Sequence, residues 1–274
     1  MPQVSVLMPN FNKVRFIGEA IDSIKNQSFQ DWELIIADDG SDDGSWEIIE
    51  RAAAIDKRIK VFRCEHKGLT AIRNFTLSKA SGEFIAALDS DDWSYPERLS
   101  KQLAYLENHP DCGVLGSNYE TINEQGIFIE SVSQPLLDEE IRRSFFFFNP
   151  IRHSSICFRR ACVTELGAYN PDWFAGEDLE ILMRFGTKWK LANIPEKLIR
   201  YRIFGNNFSH QQQRAMISTT LRLRRYAVKH WDYKWPRGSK IAYAFTSMML
   251  IIPPARVQGL FSWIRRNFKL YVKN

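Results

Sequence analysis

The stretch Phe84-Ile85-Ala86-Ala87-Leu88-Asp89-Ser90-Asp91-Asp92 passes from an apolar run into three carboxylates within four residues. A buried strand cannot keep such charges without partners, so the run delivers them to the lip of a sheet, where a hard cation can neutralise them. Side chains at i and i+2 of an extended segment point the same way. Asp89 and Asp91 can therefore face one ligand while Ser90 points away. The competing explanation is an Asp-rich turn, with Asp92 capping a helix that begins near Pro96.

The elements needed to position these acids follow from periodicity. Val4 to Pro9 has the pattern of a short buried strand, and Phe16, Ile17, Ala20, Ile21 and Ile24 recur at helical spacing. A strand at Trp32 to Ala37, an acidic turn at Asp38 to Gly44 and a helix from Ser45 to Ile55 come next. A strand at Ile59 to Cys64, a helix from Leu69 to Ala80 stopped by Ser81-Gly82, and a strand at Glu83 to Leu88 complete the alternation. This predicts an α/β fold with a mainly parallel sheet and helices on both faces. Ligands of such sheets bind beyond the carboxyl ends of the strands, where Asn10 to Asn12, Asp38 to Ser41 and Asp89 to Asp92 all fall.

After residue 110 the pattern predicts two extended runs, Gly113 to Ile122 and Ile127 to Val132, around an Asn123-Glu124-Gln125-Gly126 turn. A helix at Asp138 to Arg143, a strand at Ser155 to Arg159, a helix at Glu177 to Phe185 and a strand at Leu198 to Ile203 follow. The run Phe145 to Phe148 is assigned to the core, with the wall of an apolar ligand site as the alternative.

With 274 residues and 45% hydrophobic content, the chain can bury a large core. Cys64, Cys112, Cys157 and Cys162 show no paired spacing, which predicts neither a zinc site nor a disulfide framework and points to a reducing cytoplasm. A core strand expected within three residues of Met1 argues against a cleaved export signal. The net charge of +5 is uneven: residues 211–274 hold 13 Lys/Arg and one acid, whereas residues 1–210 hold 24 Lys/Arg and 31 acids.

Five segments in order, Val4 to Asn12, Ile35 to Asp43, Gly68 to Asn74, Leu88 to Asp92 and Gly176-Glu177-Asp178, resemble the signature of the family 2 glycosyltransferases over residues 1 to about 210. Any one of these motifs is weak; their order is specific. The resemblance implies a GT-A fold, with a nucleotide-binding half at 1–110 and an acceptor half at 111–210. It also implies transfer of a sugar from a nucleoside diphosphate to an acceptor hydroxyl with inversion.

Carried over residue by residue, the resemblance implies that Pro9, Asn12 and Asp39 hold base and ribose. A carboxylate accepting an imide N–H would favour uracil, hence a UDP-sugar, unless Asp39 serves only its turn. Arg73, Asp89 and Ser90 join the nucleotide-binding set, with a buried Arg73 paired to an acid of the Asp-rich loops as a compatible alternative. Asp91, with Asp89, would hold Mn²⁺ or Mg²⁺ on the diphosphate, neutralising charge on the departing group. Inversion needs a base opposite the leaving group. Asp178 is the first candidate and Glu177 the second, both opening a helix where capping accounts for one of them. His153 and Ser154 fall on the acceptor side.

Two departures matter. Phe204 stands where many relatives have His, so that Arg202, His210 or water must do that residue's work. His66-Lys67 precedes Gly68 where Asn is common.

The segment 211–274 is expected to form a basic, amphipathic helical extension. Gln211 to His230 predicts a helix; Ile241 to Ile252 is too short to span a bilayer and ends at Pro253-Pro254. Val257, Leu260, Phe261, Ile264 and Phe268 alternate with Arg256, Arg265, Arg266 and Lys269, as in a segment that lies on an anionic membrane surface. The alternative is a solvated basic face on a helix packed against the body. Nucleic acid is not an expected partner, because the tail lacks a recognised binding fold and the acidic body would repel phosphate. The expected setting is cytoplasmic and peripheral on the inner face of the plasma membrane, where sugar acceptors carried on lipid are found. Two rivals are a catalytically silent sugar-nucleotide or membrane-binding module, and a nucleotidyltransferase. The loop Pro9-Asn10-Phe11-Asn12-Lys13 does not resemble the loop rich in glycine and basic residues that a triphosphate needs.

Overall fold

The computed structural model describes residues 1–205 and 212–250. In chain order the elements are β1 (Val4–Asn10), α1 (Ile17–Lys25), β2 (Trp32–Asp38), α2 (Ser45–Ile55), β3 (Ile59–Arg63), α3 (Leu69–Lys79) and β4 (Phe84–Ala87). Then come β5 (Trp93–Ser94), α4 (Arg98–Asn108), β6 (Cys112–Ile122), β7 (Phe128–Val132), α5 (Asp138–Ser144), β8 (Cys157–Arg159), α6 (Arg160–Leu166), α7 (Glu177–Phe185) and β9 (Lys190–Arg202). Two further helices, α8 (Gln213–His230) and α9 (Ser239–Met248), close the described chain.

One sheet organises them in the order β3-β2-β1-β4-β8-β6-β9-β5, with β7 paired to β6. Its first four strands are parallel, as the alternation of elements requires. Beyond β4 the sheet is mixed: β8 runs antiparallel to both β4 and β6, while β6 and β9 are parallel. The short β8 arises because His153–Ser155 coil into a 3-10 turn instead of extending the strand.

β1 and β2 are buried along their full lengths, and their side chains alternate between two cores. Val4, Val6, Met8, Leu34 and Ile36 meet Ile17, Ile21 and Ile24 of α1 on one face. Leu7 and Ile35 meet Ile85, Phe145, Phe146 and Phe158 on the other. Each of the larger buried apolar side chains contributes about 1.5–3 kcal/mol. The Phe run is divided: Phe145 and Phe146 are core, whereas Phe148 is 40% exposed.

A buried acid pins the helix–strand turn before β4. Glu33 accepts from Ser5 Oγ (2.6 Å), Ser81 N (2.7 Å) and Ser81 Oγ (2.7 Å) and pairs with Lys60. Gly82 fits there because an added Cβ would lie 2.6 Å from Ser5 N.

Beyond the boundary expected at residue 210, α8 packs on the body of the protein. Leu223 and Ala227 of α8 enter the same core as Phe145, and Arg224 Nε donates to Phe145 O at 2.9 Å. Tyr233 Oη donates to Met183 O at 3.0 Å. Farther on, Ile217 and Leu221 of α8 pack with Met249, while Ile241, Phe245 and Met248 of α9 are exposed. His210 and the cationic, apolar run beyond Pro253-Pro254 lie outside the described residues.

Candidate active site

The carboxyl ends of β1, β2 and β4 converge on the predicted acids. At β1, Pro9 is buried and Asn10 Nδ2 donates to Asp38 Oδ1 at 2.7 Å, tying the first two strand ends together. Ser41 N donates to Asp38 Oδ2 at 2.9 Å, so Asp38 is a structural acid. Asn12 sits on the exposed loop with φ 51°, donates its N–H to Ser41 Oγ at 2.9 Å and accepts from Asp42 N at 3.1 Å. That αL geometry suits Asn better than most residues.

Asp39 is buried and draws in the loop before α3. Its two oxygens accept from Lys67 N (2.8 Å) and Gly68 N (2.9 Å), and His66 Nδ1 lies 2.8 Å from Oδ2. The main chain of residues 67 and 68 is therefore what Asp39 binds, which explains how His66-Lys67 can stand there. His66 in turn stacks on exposed Phe11, with ring centroids 4.3 Å apart, and forms an aromatic rim beside Asn12.

Asp89 and Asp91 have different surroundings. Asp89 accepts from Ser154 Oγ at 3.0 Å, with Arg73 Nη2 at 3.3 Å and His153 Nδ1 at 3.4 Å from its other oxygen. Burial works to raise its pKa, but His153, Arg73 and the Ser154 hydrogen bond hold it well below the usual carboxylate range. Asp91 has Lys13 Nζ at 2.9 Å; burial pushes its carboxyl up, Lys13 pulls it down and neighbouring Asp89 adds to the rise. Asp92 accepts from Arg202 N at 2.8 Å, and burial together with Asp91 and Asp89 raises it well above the ordinary range. It does not cap α4, whose N-cap position is Glu97. Instead its N–H donates to Asp89 O at 3.0 Å, so the acidic segment is a tight turn as well as a site, with Ser90 buried inside it.

Arg73, buried on α3, is the hub. Nη1 donates to Glu177 Oε1 at 2.6 Å and Nη2 approaches Asp89 and His153 Nδ1, both at 3.3 Å. Burial opposes its charge, yet Asp89 and Glu177 on either side raise its pKa further. The paired-acid arrangement expected as compatible with a nucleotide role is present: both outer nitrogens of the guanidinium are engaged by neighbouring side chains. His153 Nε2 reaches Tyr169 Oη at 3.0 Å, and Tyr169 exchanges two backbone bonds with the Asn74 side chain, at 2.7 and 2.9 Å.

The two acids opening α7 are equally distinct. Glu177 is 3% exposed, bonded to Arg73 and to Gly176 N. Asp178 is half-buried, accepting from Asn149 Nδ2 at 3.0 Å and from Leu179 N at 2.8 Å. The end of α7 is braced by α8: a Cβ on Gly176 would lie 2.6 Å from the Thr219 side chain, and Thr219 Oγ1 donates to Phe174 O at 2.9 Å.

Arg202 is held by main-chain carbonyls and one acid. It donates to Asp91 O at 3.0 Å, to Glu124 O at 3.0 Å and to Glu19 at 2.6 Å, riveting the acidic turn to α1 and to the β6–β7 turn. Lys13, Asn149 and Tyr169 escaped the sequence analysis. Only Lys13, next to the Pro9–Asn12 loop, carried a positional hint.

Comparison with known proteins decides what this arrangement is. The family model described as glycosyl transferase family 2 matches residues 5–166. The chain belongs to glycosyl transferase family 2. It is 30% identical over 211 residues to the O-antigen biosynthesis glycosyltransferase WbnJ of Escherichia coli, covering 74% of this chain and 80% of WbnJ. S. aureus TarS 1-349 in complex with UDP-GlcNAc superposes with a TM-score of 0.69 at 20% identity, covering 90% of this chain and 70% of that one. The mannosyltransferase PcManGT from Pyrobaculum calidifontis, in complex with GDP-Man and Mn²⁺, superposes with a TM-score of 0.66 at 15% identity, covering 96% and 80%. The fold is accordingly GT-A, and the chain is a glycosyltransferase.

Proposed function

We propose that the chain is an inverting glycosyltransferase that moves a hexose or N-acetylhexosamine from a UDP-sugar to a hydroxyl of a growing polysaccharide or lipid-linked glycan. Asp178 is the general base. The observation that carries this assignment is the division of labour at the start of α7: Glu177 is buried against Arg73 while Asp178 stays half-buried and held in place by Asn149. A carboxylate that can reach solvent is able to accept a proton from an incoming hydroxyl; one neutralised by a buried guanidinium is not.

Pro9, Asn12 and Asp39, with the Phe11–His66 rim, form the nucleoside side, and Asp89 with Ser90 underlies the ribose and diphosphate. Mn²⁺ or Mg²⁺ fits the donor set of Asp91 and Asp89. Among the described residues no group of three or more His, Cys, Asp or Glu gathers around a point, so phosphate oxygens and water would complete a shell of hard oxygen ligands. Such an ion supplies charge neutralisation to the departing diphosphate. His153 and Ser154 carry Asp89 on the acceptor side, and their place beside Arg73 lets them set its orientation.

Membrane association through 211–274 belongs to the same proposal. The net +12 of that segment and the exposed Ile241, Phe245 and Met248, spaced i, i+4, i+7, favour an anionic surface on the cytoplasmic face. No described helix is long and apolar enough to cross a bilayer.

The test is a calorimetric panel of UDP, GDP, CDP and dTDP with and without Mn²⁺ on wild type and Asp91→Ala. Selective, Mn²⁺-assisted binding of UDP that weakens in the variant is expected. Selective binding of another diphosphate would move the donor, and binding of none would favour the silent-module alternative.

A further inference from the structure

Asp91 already has a cation. Lys13 Nζ lies 2.9 Å from Asp91 Oδ2, and both side chains are mostly buried, at 21% and 16% exposure. The ammonium also sits over the Phe204 ring, 4.6 Å from its centroid, and Phe16 supports that ring from a centroid distance of 5.0 Å. Lys13 is fixed at its root as well: its N–H donates to Ser45 Oγ at 3.0 Å, and its carbonyl accepts from Phe16 and Ile17 N–H at the start of α1. The position at which a ligand His was expected, Phe204, thus offers a π face that holds a monocation instead of a lone pair that holds a metal.

We infer that Lys13 is a resident counter-ion of Asp91 that yields its place when metal and nucleoside diphosphate load together, making metal uptake conditional on the nucleotide. This rests on the donor-site reading above. An ammonium on Asp91 Oδ2 repels a dication approaching the same carboxylate and reduces the charge on offer to it, so metal uptake at Asp91 works against the Lys13–Asp91 pair. A diphosphate changes the balance. Its oxygens offer the ammonium a new partner within reach of a flexible four-carbon stem, and they add ligands for the ion at the freed carboxylate. Lys13 leaves the loop that follows β1, next to Asn12, so its stem starts on the nucleotide side of the site.

The test is a titration of Mn²⁺ with protein, following free Mn²⁺ by electron paramagnetic resonance, with and without UDP. Wild type, Lys13→Met and Phe204→Ala are compared, with thermal melts confirming that each is folded. Methionine keeps an apolar stem against Phe204 and removes the charge. Wild type should bind Mn²⁺ weakly alone and at least about tenfold more tightly with UDP, a linkage of about 1.4 kcal/mol. Lys13→Met should bind Mn²⁺ alone at least about tenfold more tightly than wild type, and its UDP enhancement should shrink by a similar factor to the part that the diphosphate's own ligands supply. Phe204→Ala should move the same way by a smaller factor. Unchanged metal affinity in Lys13→Met, with the UDP enhancement intact, would overturn the role of Lys13 and leave the donor site standing. Absence of any UDP or UDP–Mn²⁺ binding in wild type would overturn the donor reading and the counter-ion role with it.

Discussion

Adjacent acids with opposite roles give the sharpest prediction. Glu177→Gln replaces a charge-assisted bond to Arg73 of 2.6 Å by a neutral one and leaves the guanidinium with Asp89 as its remaining acid, 3.3 Å away. Removing a partner outright from a buried pair costs about 3–5 kcal/mol. Here the shape is kept and Asp89 still neutralises part of the charge, so the loss should be about 2–3 kcal/mol. At about 2 °C per kcal/mol for a chain of this size, the melting temperature should fall by about 4–6 °C. Asp178→Asn meets a different environment: it is half-buried, its partners are one amide and one helix N–H, and the fold should lose less than about 0.5–1 kcal/mol. Its turnover should drop by about 10²–10⁴-fold with UDP binding unchanged, since the base is lost and the donor contacts are not. The assays are thermal melts, UDP calorimetry and sugar transfer from a UDP-sugar panel. A result in which Asp178→Asn melts early but retains turnover, while Glu177→Gln is stable and inactive, would exchange the two roles.

Other perturbations probe the scaffold and the surface. Glu33 is raised by its burial but brought down to about 2, from an ordinary 4.5, by Lys60, Ser5 and Ser81. Because its folded pKa is depressed, its contribution is complete above pH 4.5 and is lost as pH falls toward 2. With Lys60 half exposed and screened, that contribution is about 1–2 kcal/mol, so urea melts should separate wild type from Glu33→Gln at pH 7 and bring them together toward pH 2–3. Gly82→Ala should cost about 1–3 kcal/mol in the same melts, because its Cβ would meet main-chain atoms at 2.6 and 2.8 Å. Ile241→Glu combined with Phe245→Glu should reduce sedimentation with anionic liposomes at least several-fold without changing the melting temperature, both side chains being exposed; undiminished binding would remove α9 from the membrane face.

Period-2 and 3.6-residue patterning made most of the first 110 residues legible, since β1 and β2 divide their side chains between two cores and α1 turns a single apolar face to one of them, as their spacing requires. Where the sequence misled, a local rule was overruled by packing. Pro195 argues against a strand, and the expected strand began only at Leu198. Yet β9 starts at Lys190, because the ladder passes from Ser117↔Ile194 to Asn118↔Lys197 and bulges out Pro195 and Glu196, with Asn118 Nδ2 donating to Pro195 O at 2.8 Å. The acids of the site were visible as residue types, but their charge states were not. Asp39 meets its partners 28 and 29 positions later, and Arg73 meets Glu177 104 positions later.

Long-range pairings also tie the basic C-terminal segment to the start of α7. Arg73 links the acidic turn after β4 to the first residue of α7, so any shift of α7 moves Glu177, Asp89 and the neighbouring Asp178 as a unit. The opposite side of that helix end is set by α8, where Thr219 holds Phe174 and fills the space that only a glycine at 176 leaves. Arg224 anchors α8 by its bond to Phe145 O, with burial lowering its pKa to about 10. A helix that reads as an appendage in sequence therefore braces the start of α7. Truncation before Gln213 should abolish stable folding, whereas truncation after Tyr233 should lower the melting temperature by a smaller step, because it strips Trp235 from Phe146 and Met249 from Ile217 and Leu221.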